Sequence, residues 1–550
     1  VAMPRFSVLT PVYETPADVL WEMLESVRTQ TFGDWELCIV DDRSTAPHVR
    51  RVLEEAAAAD PRIRLRWREE NGGIVAASNE ALAMAEGEFL ALLDHDDELH
   101  PDALAHVHEA LLATPEADYV YTDEDKIDRR GHHSGPFFKP DWSPERMRTQ
   151  MYTCHLSVLR RSLVEEVGGF DAEFEGSQDW DLVLKVTERA RAVLHVPRVL
   201  YHWRMLETSA AGGDAKPWAF EAGKRAIQAH CDRTGLPARA ERDPVDPGVY
   251  HLEPELHSEP LVSVVIPSRG QVREIRYEPV VLVNNCVRSI VERSTYENYE
   301  IVCVLDEDTP RNVYGELREI AGERLRIVPY DRPFSFSAKI NLGAVRSRGE
   351  QLLLLNDDIE VATPNWLERM VMYSAQPGIG AVGGKLLWED GRLQHVGVNF
   401  EDGLPGHLHH GFAGDFRGYG NGIRVARDLL AITGACLMTS RELFEEVGGL
   451  STTFPVNYND IDYCLKLHSR GQRIVYDPDL VMFHFESSSR STEVEEWEKD
   501  RLLDRWGHVT AVDPYSNPNL RHGAPRLSST LNWVIRRRPN LPKVLTRRRG

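Results

Sequence analysis

Phe89-Leu90-Ala91-Leu92-Leu93-Asp94-His95-Asp96-Asp97 is an apolar run of strand length that breaks off into acids, and the same event recurs where Leu352-Leu353-Leu354-Leu355 runs into Asn356-Asp357-Asp358-Ile359-Glu360. An apolar run of this length bounded by polar residues suits a buried strand. Open α/β sheets bind ligands at the carboxyl edge of their strands. Carboxylates gathered there repel one another unless a hard divalent cation lies between them, and Mg²⁺ or Mn²⁺ bound to a diphosphate is the natural occupant. The plainer reading is that the acids cap the next helices, since Pro101 and Pro364 follow closely. One cap does not need three acids, which favours the cation when both runs are taken together.

Upstream of the first run, strand-like and amphipathic segments alternate: Phe6–Val12, a helix through Leu20–Val27, Trp35–Val40, a helix through Val49–Ala59, Ile63–Trp67 and a helix from Ile74. This alternation predicts an α/β fold with a mainly parallel sheet. The order begins again at Leu261–Pro267, with strands expected at Tyr299–Leu305, Leu325–Val328 and Gln351–Leu355. Ser7-Val8-Leu9-Thr10-Pro11 matches Ser263-Val264-Val265-Ile266-Pro267, and Asn79 matches Asn341. Glu166-Val167-Gly168-Gly169-Phe170 matches Glu446-Val447-Gly448-Gly449-Leu450, and Asp179-Trp180-Asp181-Leu182 matches Asp460-Ile461-Asp462-Tyr463. A repeat of this size is a duplicated domain, and polar residues kept in both copies become candidates for chemistry. The expected division is a first domain over 1–236, a linker over 237–260, a second domain over 261–512 and a basic tail, helical or disordered, over 513–550.

Other strand ends carry groups able to hold a base and ribose: Pro11, Tyr13 and Glu14, then Asp42, and in the second copy Pro267, Arg269 and Asp306. Asp94 and Asp357, inside the acid clusters, join them as candidate donor-binding residues. Each alone is a weak signal, because acids are common turn formers.

The order Pro-Val-Tyr, Val-Asp-Asp, Leu-Leu-Asp-His-Asp-Asp and Gln-Asp-Trp-Asp-Leu resembles the family 2 glycosyltransferases, which have a GT-A fold; the resemblance covers about residues 5–210 and 260–490. Tyr121-Thr122-Asp123-Glu124-Asp125-Lys126-Ile127-Asp128 and Phe138-Lys139-Pro140-Asp141-Trp142 narrow it to members that make bacterial O-antigen and other surface polysaccharides. The resemblance implies that Asp94 and Asp96 take the metal-binding DXD role, with Asp358 doing so in the second copy. Asn356 departs from that pattern by offering a neutral oxygen. An inverting transfer needs a carboxylate to accept the acceptor hydroxyl's proton, and Asp179 and Asp460 are the candidates. Each opens a helix, whose N-terminus favours the charged form while burial opposes it. His202 and His484 each follow a short apolar strand; they are either structural or further metal ligands. His407, His409 and His410 lie in a Gly-rich loop that could line a donor or acceptor site.

Bulk properties agree with this reading. The chain has 550 residues, enough for more than one core, with 42% apolar and 27% charged residues. A formal charge of −22 argues against nucleic-acid binding. Seven cysteines stand singly in mostly apolar surroundings, as buried thiols of a reducing, cytoplasmic compartment do. After Asp513 only basic charges occur, interleaved with apolar residues, which suits either a solvated tail or an anionic membrane surface at the inner face of the cell membrane. The expected activity is a metal-dependent, bifunctional transfer of sugars from UDP- or dTDP-sugar donors to a saccharide or lipid-linked acceptor. The alternative keeps one copy catalytic, the first, and makes the second an acceptor-binding or scaffold module. Nucleotidyl transfer, a third possibility, would want a Gly-rich basic loop after the first strand, and Thr10-Pro11-Val12-Tyr13-Glu14 is not one.

Overall fold

The structure, a computed structural model, describes residues 3–206, 217–485, 494–521 and 524–525. In the first half β1 (Phe6–Val12), β2 (Trp35–Asp41), β3 (Ile63–Trp67) and β4 (Phe89–Leu92) form where the apolar runs predict them, joined by helices Ala17–Arg28, Pro47–Ala59 and Gly73–Met84. They pair in parallel in the order β3-β2-β1-β4. The sheet continues through β5 (Glu98–Leu99), β6 (Ala117–Ile127), β7 (His133–Phe137), β8 (Ser157–Arg160) and β9 (Ala192–Arg204), in the order β4-β8-β6-β9-β5 with β7 on β6. Because β8 runs antiparallel to β4, the residues just before β8 meet the acids just after β4. That reversal builds the site.

The second half repeats the order with strands Leu325–Tyr330, Tyr299–Asp306, Val262–Ser268, Gln351–Leu355, Cys436–Ser440, Ile379–Leu387, Arg473–His484 and Ile359–Val361. Several matched polar residues turn out to hold the fold. Ser7 Oγ donates to Glu36 (2.5 Å) and accepts from the Gly87 amide (2.8 Å); Ser263 does the same with Glu300 and Gly349, both at 2.7 Å. Asn79 Nδ2 donates to the Phe170 carbonyl (2.8 Å) and its Oδ1 accepts from the Phe170 amide (3.0 Å), while Asn341 closes the same pair on Leu450 at 2.8 and 2.9 Å. A side chain at Gly169 or Gly449, both at positive φ, would strike that Asn oxygen, so the Gly-Gly pair and the Asn are one device. Asn79→Ala or Asn341→Ala orphans two backbone groups and is expected to cost about 1–3 kcal/mol each, read by urea unfolding.

The two halves are tied together. Residues 237–260, expected as a linker, contain an antiparallel pair, Ala238–Arg242 with Tyr250–Pro254, and Arg369 Nη1 of the second half donates to the Leu252 carbonyl (3.1 Å). Ser143 Oγ donates to Asp428 (2.6 Å), and the fully buried Glu145 carboxylate meets both Arg148 and Arg473 at 3.0 Å. The start of the expected tail is folded as well: the Asp141 amide donates to the Pro514 carbonyl (2.9 Å), and Asn517 Nδ2 reaches Asp123 (3.0 Å) and the Lys139 carbonyl (2.8 Å). Residues 522–523 and 526–550 of the basic tail lie outside the described residues. Among the described residues no helix is long and apolar enough to cross a membrane.

Candidate active site

After β4, Asp94 to Asp97 turn under a clamp supplied by β9. The Asp94 amide donates to the Tyr201 hydroxyl (3.3 Å), that hydroxyl donates to Asp97 Oδ2 (2.6 Å), and the Arg204 amide donates to Asp97 Oδ1 (2.7 Å). Arg204 Nε completes the clamp on the Asp96 carbonyl (2.8 Å). Asp97 is thereby spent on shape. Asp94 and Asp96 line a cavity of about 420 Å³ together with Pro11, Ser78, His155, Gln178, Asp179 and Trp203. Asp179 arrives in the first turn of the helix Gln178–Thr187, anchored by Trp180 Nε1 donating to the Met147 carbonyl (2.9 Å). The next acid, Asp181, is fully buried against Lys185 (2.8 Å), a structural ion pair.

Burial, then the neighbouring Asp96 charge, pushes the Asp94 carboxyl up from the ordinary aspartate range, and burial does the same to Asp179. For Asp179, burial therefore outweighs the helix N-terminus. A buried carboxylate set beside a second one at the floor of a cleft is what a divalent cation relieves, so Asp94 and Asp96 fit one. His155 is the balancing cation. Burial opposes its charge, but the Glu124 carboxylate at 2.9 Å, followed by Asp97 and Asp94, more than compensates and holds it at about 9. Its ring stacks on Tyr201 with centroids 5.3 Å apart.

Neither His155 nor Glu124 is among the candidates that the sequence pattern marks. A usable signal was present: Glu124 sits inside the buried strand β6, and a buried acid must have a partner.

His202 requires a correction. The structure turns it away from Asp94 and Asp96 and sets its Nδ1 against Asp125 Oδ1 (2.6 Å), while its strand neighbours Tyr201 and Trp203 line the cavity. Successive strand residues face opposite sides of a sheet, so a match displaced by one residue reverses the face. The shared backbone bond fixes the register: the His100 amide donates to Leu200, and the Ala362 amide to Val481, which puts Trp203, not His202, in the place of His484.

In the second copy Asn356, Asp358 and His484 do meet. His484 Nε2 lies 3.0 Å from Asp358 Oδ1 and 3.3 Å from Asn356 Nδ2, and its Nδ1 faces Gln394 Oε1 at 2.6 Å. Asp460, in the first turn of Asn459–His468, accepts from the Gly434 amide (2.8 Å). Nearby, His395 and His407 face each other Nδ1 to Nδ1 at 2.9 Å, whereas His410 stands against Trp388. His409 packs against Phe416.

The candidate donor residues divide. Pro11 lines the cavity and Tyr13 is half exposed beside it in sequence. Glu14 takes Thr45 Oγ1 (2.8 Å), and the buried Asp42 is engaged by Arg68 and by the amides of Gly72 (2.9 Å) and Gly73 (2.8 Å), shaping the loop that precedes the helix Gly73–Met84. In the second copy Pro267 is buried and Arg269 exposed. Asp306 pairs with the buried Lys339 (2.6 Å), and Asp357 accepts from Ser268 Oγ (2.5 Å).

Residues 7–168 match the family described as Glycosyl transferase family 2, and residues 260–508 match Glycosyltransferase like family 2. The chain is 41% identical over 532 residues to the uncharacterized protein y4gI of Sinorhizobium fredii, covering 94% of this chain and 58% of that protein. It is 36% identical over 526 residues to the O-antigen biosynthesis protein RfbC of Myxococcus xanthus, covering 94% of this chain and 40% of that protein. The chain thus spans about half the length of these relatives. A crystal structure of S. aureus TarS 1-349 in complex with UDP-GlcNAc is similar at 23% identity and a TM-score of 0.35, covering 41% of this chain and 66% of that one.

Proposed function

Since the chain belongs to the family 2 glycosyltransferases and carries two of their GT-A domains in tandem, we propose that each half transfers a sugar from a nucleotide-diphosphate donor to a growing surface polysaccharide or glycolipid, with inversion. The observation that carries this is the cavity at the strand ends, where Asp94, Asp96 and Asp179 converge. The acceptor hydroxyl attacks the anomeric carbon, the bond from that carbon to the diphosphate oxygen breaks, and Asp179 takes the hydroxyl proton; Asp460 has this role in the second half. Asp94 and Asp96 in the first half, and Asn356, Asp358 and His484 in the second, would each hold a divalent cation, Mn²⁺ or Mg²⁺, which would supply positive charge to balance the diphosphate. Pro11, Tyr13, Glu14 and Asp42, with Pro267, Arg269, Asp306 and Asp357 in the second half, shape the donor pockets. The Myxococcus xanthus relative is named for O-antigen biosynthesis, which supports a surface-polysaccharide acceptor. A lipid-linked acceptor and the basic tail fit work at an anionic membrane surface.

The second reading, one catalytic half and one acceptor-binding half, is favoured by Asn356 in the acid cluster and by the Lys339 partner that neutralises Asp306. Asp96→Ala and Asp358→Ala, assayed singly for nucleotide-diphosphate release and product length, decide between them. Two active halves predict that each change stops one addition; loss with Asp96→Ala alone establishes the second reading; no loss with either sinks both.

A further inference from the structure

Three strands bring Asp125 (β6), His133 (β7) and His202 (β9) together, outside the set of residues that line the cavity. His202 Nδ1 lies 2.6 Å from Asp125 Oδ1, and His133 Nδ1 lies 3.2 Å from Asp125 Oδ2. One ligand atom from each residue falls within 4.8 Å of the other two. Donor atoms bonded at roughly 2.0–2.1 Å to a common ion, tetrahedral or octahedral, stand about 3 Å apart, close to the two imidazole–carboxylate separations, which reach the two oxygens of the one Asp125 carboxylate. The Asp125 and His202 side chains are 0% and 2% exposed, while His133 at 18% leaves a route in from solvent.

The fold does not demand polar groups at this place. Val120 faces Val158 and Leu194 in the first sheet, as Val382 faces Met438 and Val475 in the second. Along the same strands from those landmarks, Asp125 stands opposite His202 where the second sheet sets Leu387 opposite Phe483. Replacing an apolar pair by a buried acid and imidazole carries a desolvation penalty, which their 2.6 Å contact offsets in part and a bound cation would offset further.

We propose that Asp125, His133 and His202 form a divalent transition-cation site, separate from the acid cluster at Asp94 and Asp96. Two imidazole nitrogens, which are borderline donors, outnumber the one hard carboxylate oxygen, a set suited to Zn²⁺ or Co²⁺ over Mg²⁺. With one ligand from each of three strands, the ion staples the β6–β7 hairpin to β9 and has a structural role. The site stands whether or not the transferase reading does.

The test uses the full chain, stripped with chelator, in an Asp96→Asn/Asp358→Asn background that disables both acid clusters. Titration with Co²⁺ is expected to give a saturable visible absorption that Zn²⁺ bleaches, and Zn²⁺ is expected to raise Tm. Both responses should vanish in His133→Ala and His133→Gln, with circular dichroism confirming that at least one of these variants is folded. Absence of the Co²⁺ band in the background protein, or its persistence in a folded His133 variant, overturns the proposal.

Discussion

Asp179→Asn is expected to lower sugar transfer by the first half about 10²- to 10⁴-fold while nucleotide-sugar binding stays close to wild type. The carboxamide keeps the shape and the place in the first turn of Gln178–Thr187 but cannot take the acceptor proton. Fold stability gives the opposite sign, which separates chemistry from unfolding. Burial raises the Asp179 carboxyl above its ordinary value, so the folded protein binds this proton more tightly than the unfolded chain does. Stability from this group is present at low pH and is lost as pH rises through the folded pKa. At neutral pH the charged form is therefore a burden, and Asp179→Asn is expected to be as stable as wild type or more so. The same raised value places the acid limb of the wild-type pH–rate profile above that of an exposed aspartate. Thermal unfolding beside a nucleotide-diphosphate release assay reads both signs; a variant that loses activity and stability together would remove Asp179 from the role of base.

Strand positions were legible in the sequence because the apolar runs Phe6–Val12 and Gln351–Leu355 coincide with strands end to end. The acids at Asp94 and Asp96 were legible for a related reason, since an apolar run that breaks into a charged cluster marks the end of a buried strand. The duplication served less well as a pointer to chemistry. Ser7, Glu36 and Asn79 have exact partners in the second half, yet they hold backbone groups in both, so repetition marks whatever the fold needs as well as what the reaction needs. His202 failed for a geometric reason: matching it to His484 shifts the strand by one residue, and which side of a sheet a residue faces is set by hydrogen-bond register, which a sequence does not display. His155 was invisible because its importance depends on the antiparallel return of β8 beside β4, a contact between segments far apart in the chain. Its counterpart by strand register is Ala435, so no repeat drew attention to it.

His155 carries the second large expected effect. Its ordinary pKa of 6.5 rises to about 9 in the folded protein, because the Glu124 carboxylate outweighs the burial that opposes its charge. Below pH 6.5 the imidazole is protonated in both folded and unfolded chains, and the pairing stabilises fully. Between 6.5 and about 9 the unfolded chain loses its proton while the folded one keeps it, so stability falls with rising pH and the contribution is gone above about 9. At about 1.4 kcal/mol for each pH unit that separates the folded from the unfolded value, the loss across this window is on the order of 3 kcal/mol. Urea unfolding through the window is expected to show that slope in wild type and a flatter one in His155→Gln, with Glu124→Gln flattening it too by removing the partner. The second half has Ala435 at this place, so the part of the slope that His155→Gln removes belongs to the first half. His251, held at about 9 against burial by Asp479 and Asp243, adds to the wild-type slope and remains in the variant. Activity should follow the same division: the cavity that holds Asp94 and Asp179 loses the His155 charge above about pH 9, and transfer by the first half should decline there while transfer by the second half does not. An unchanged slope in His155→Gln would mean that the Glu124 contact does not hold the proton, and the charge balance drawn for the cavity would have to be abandoned.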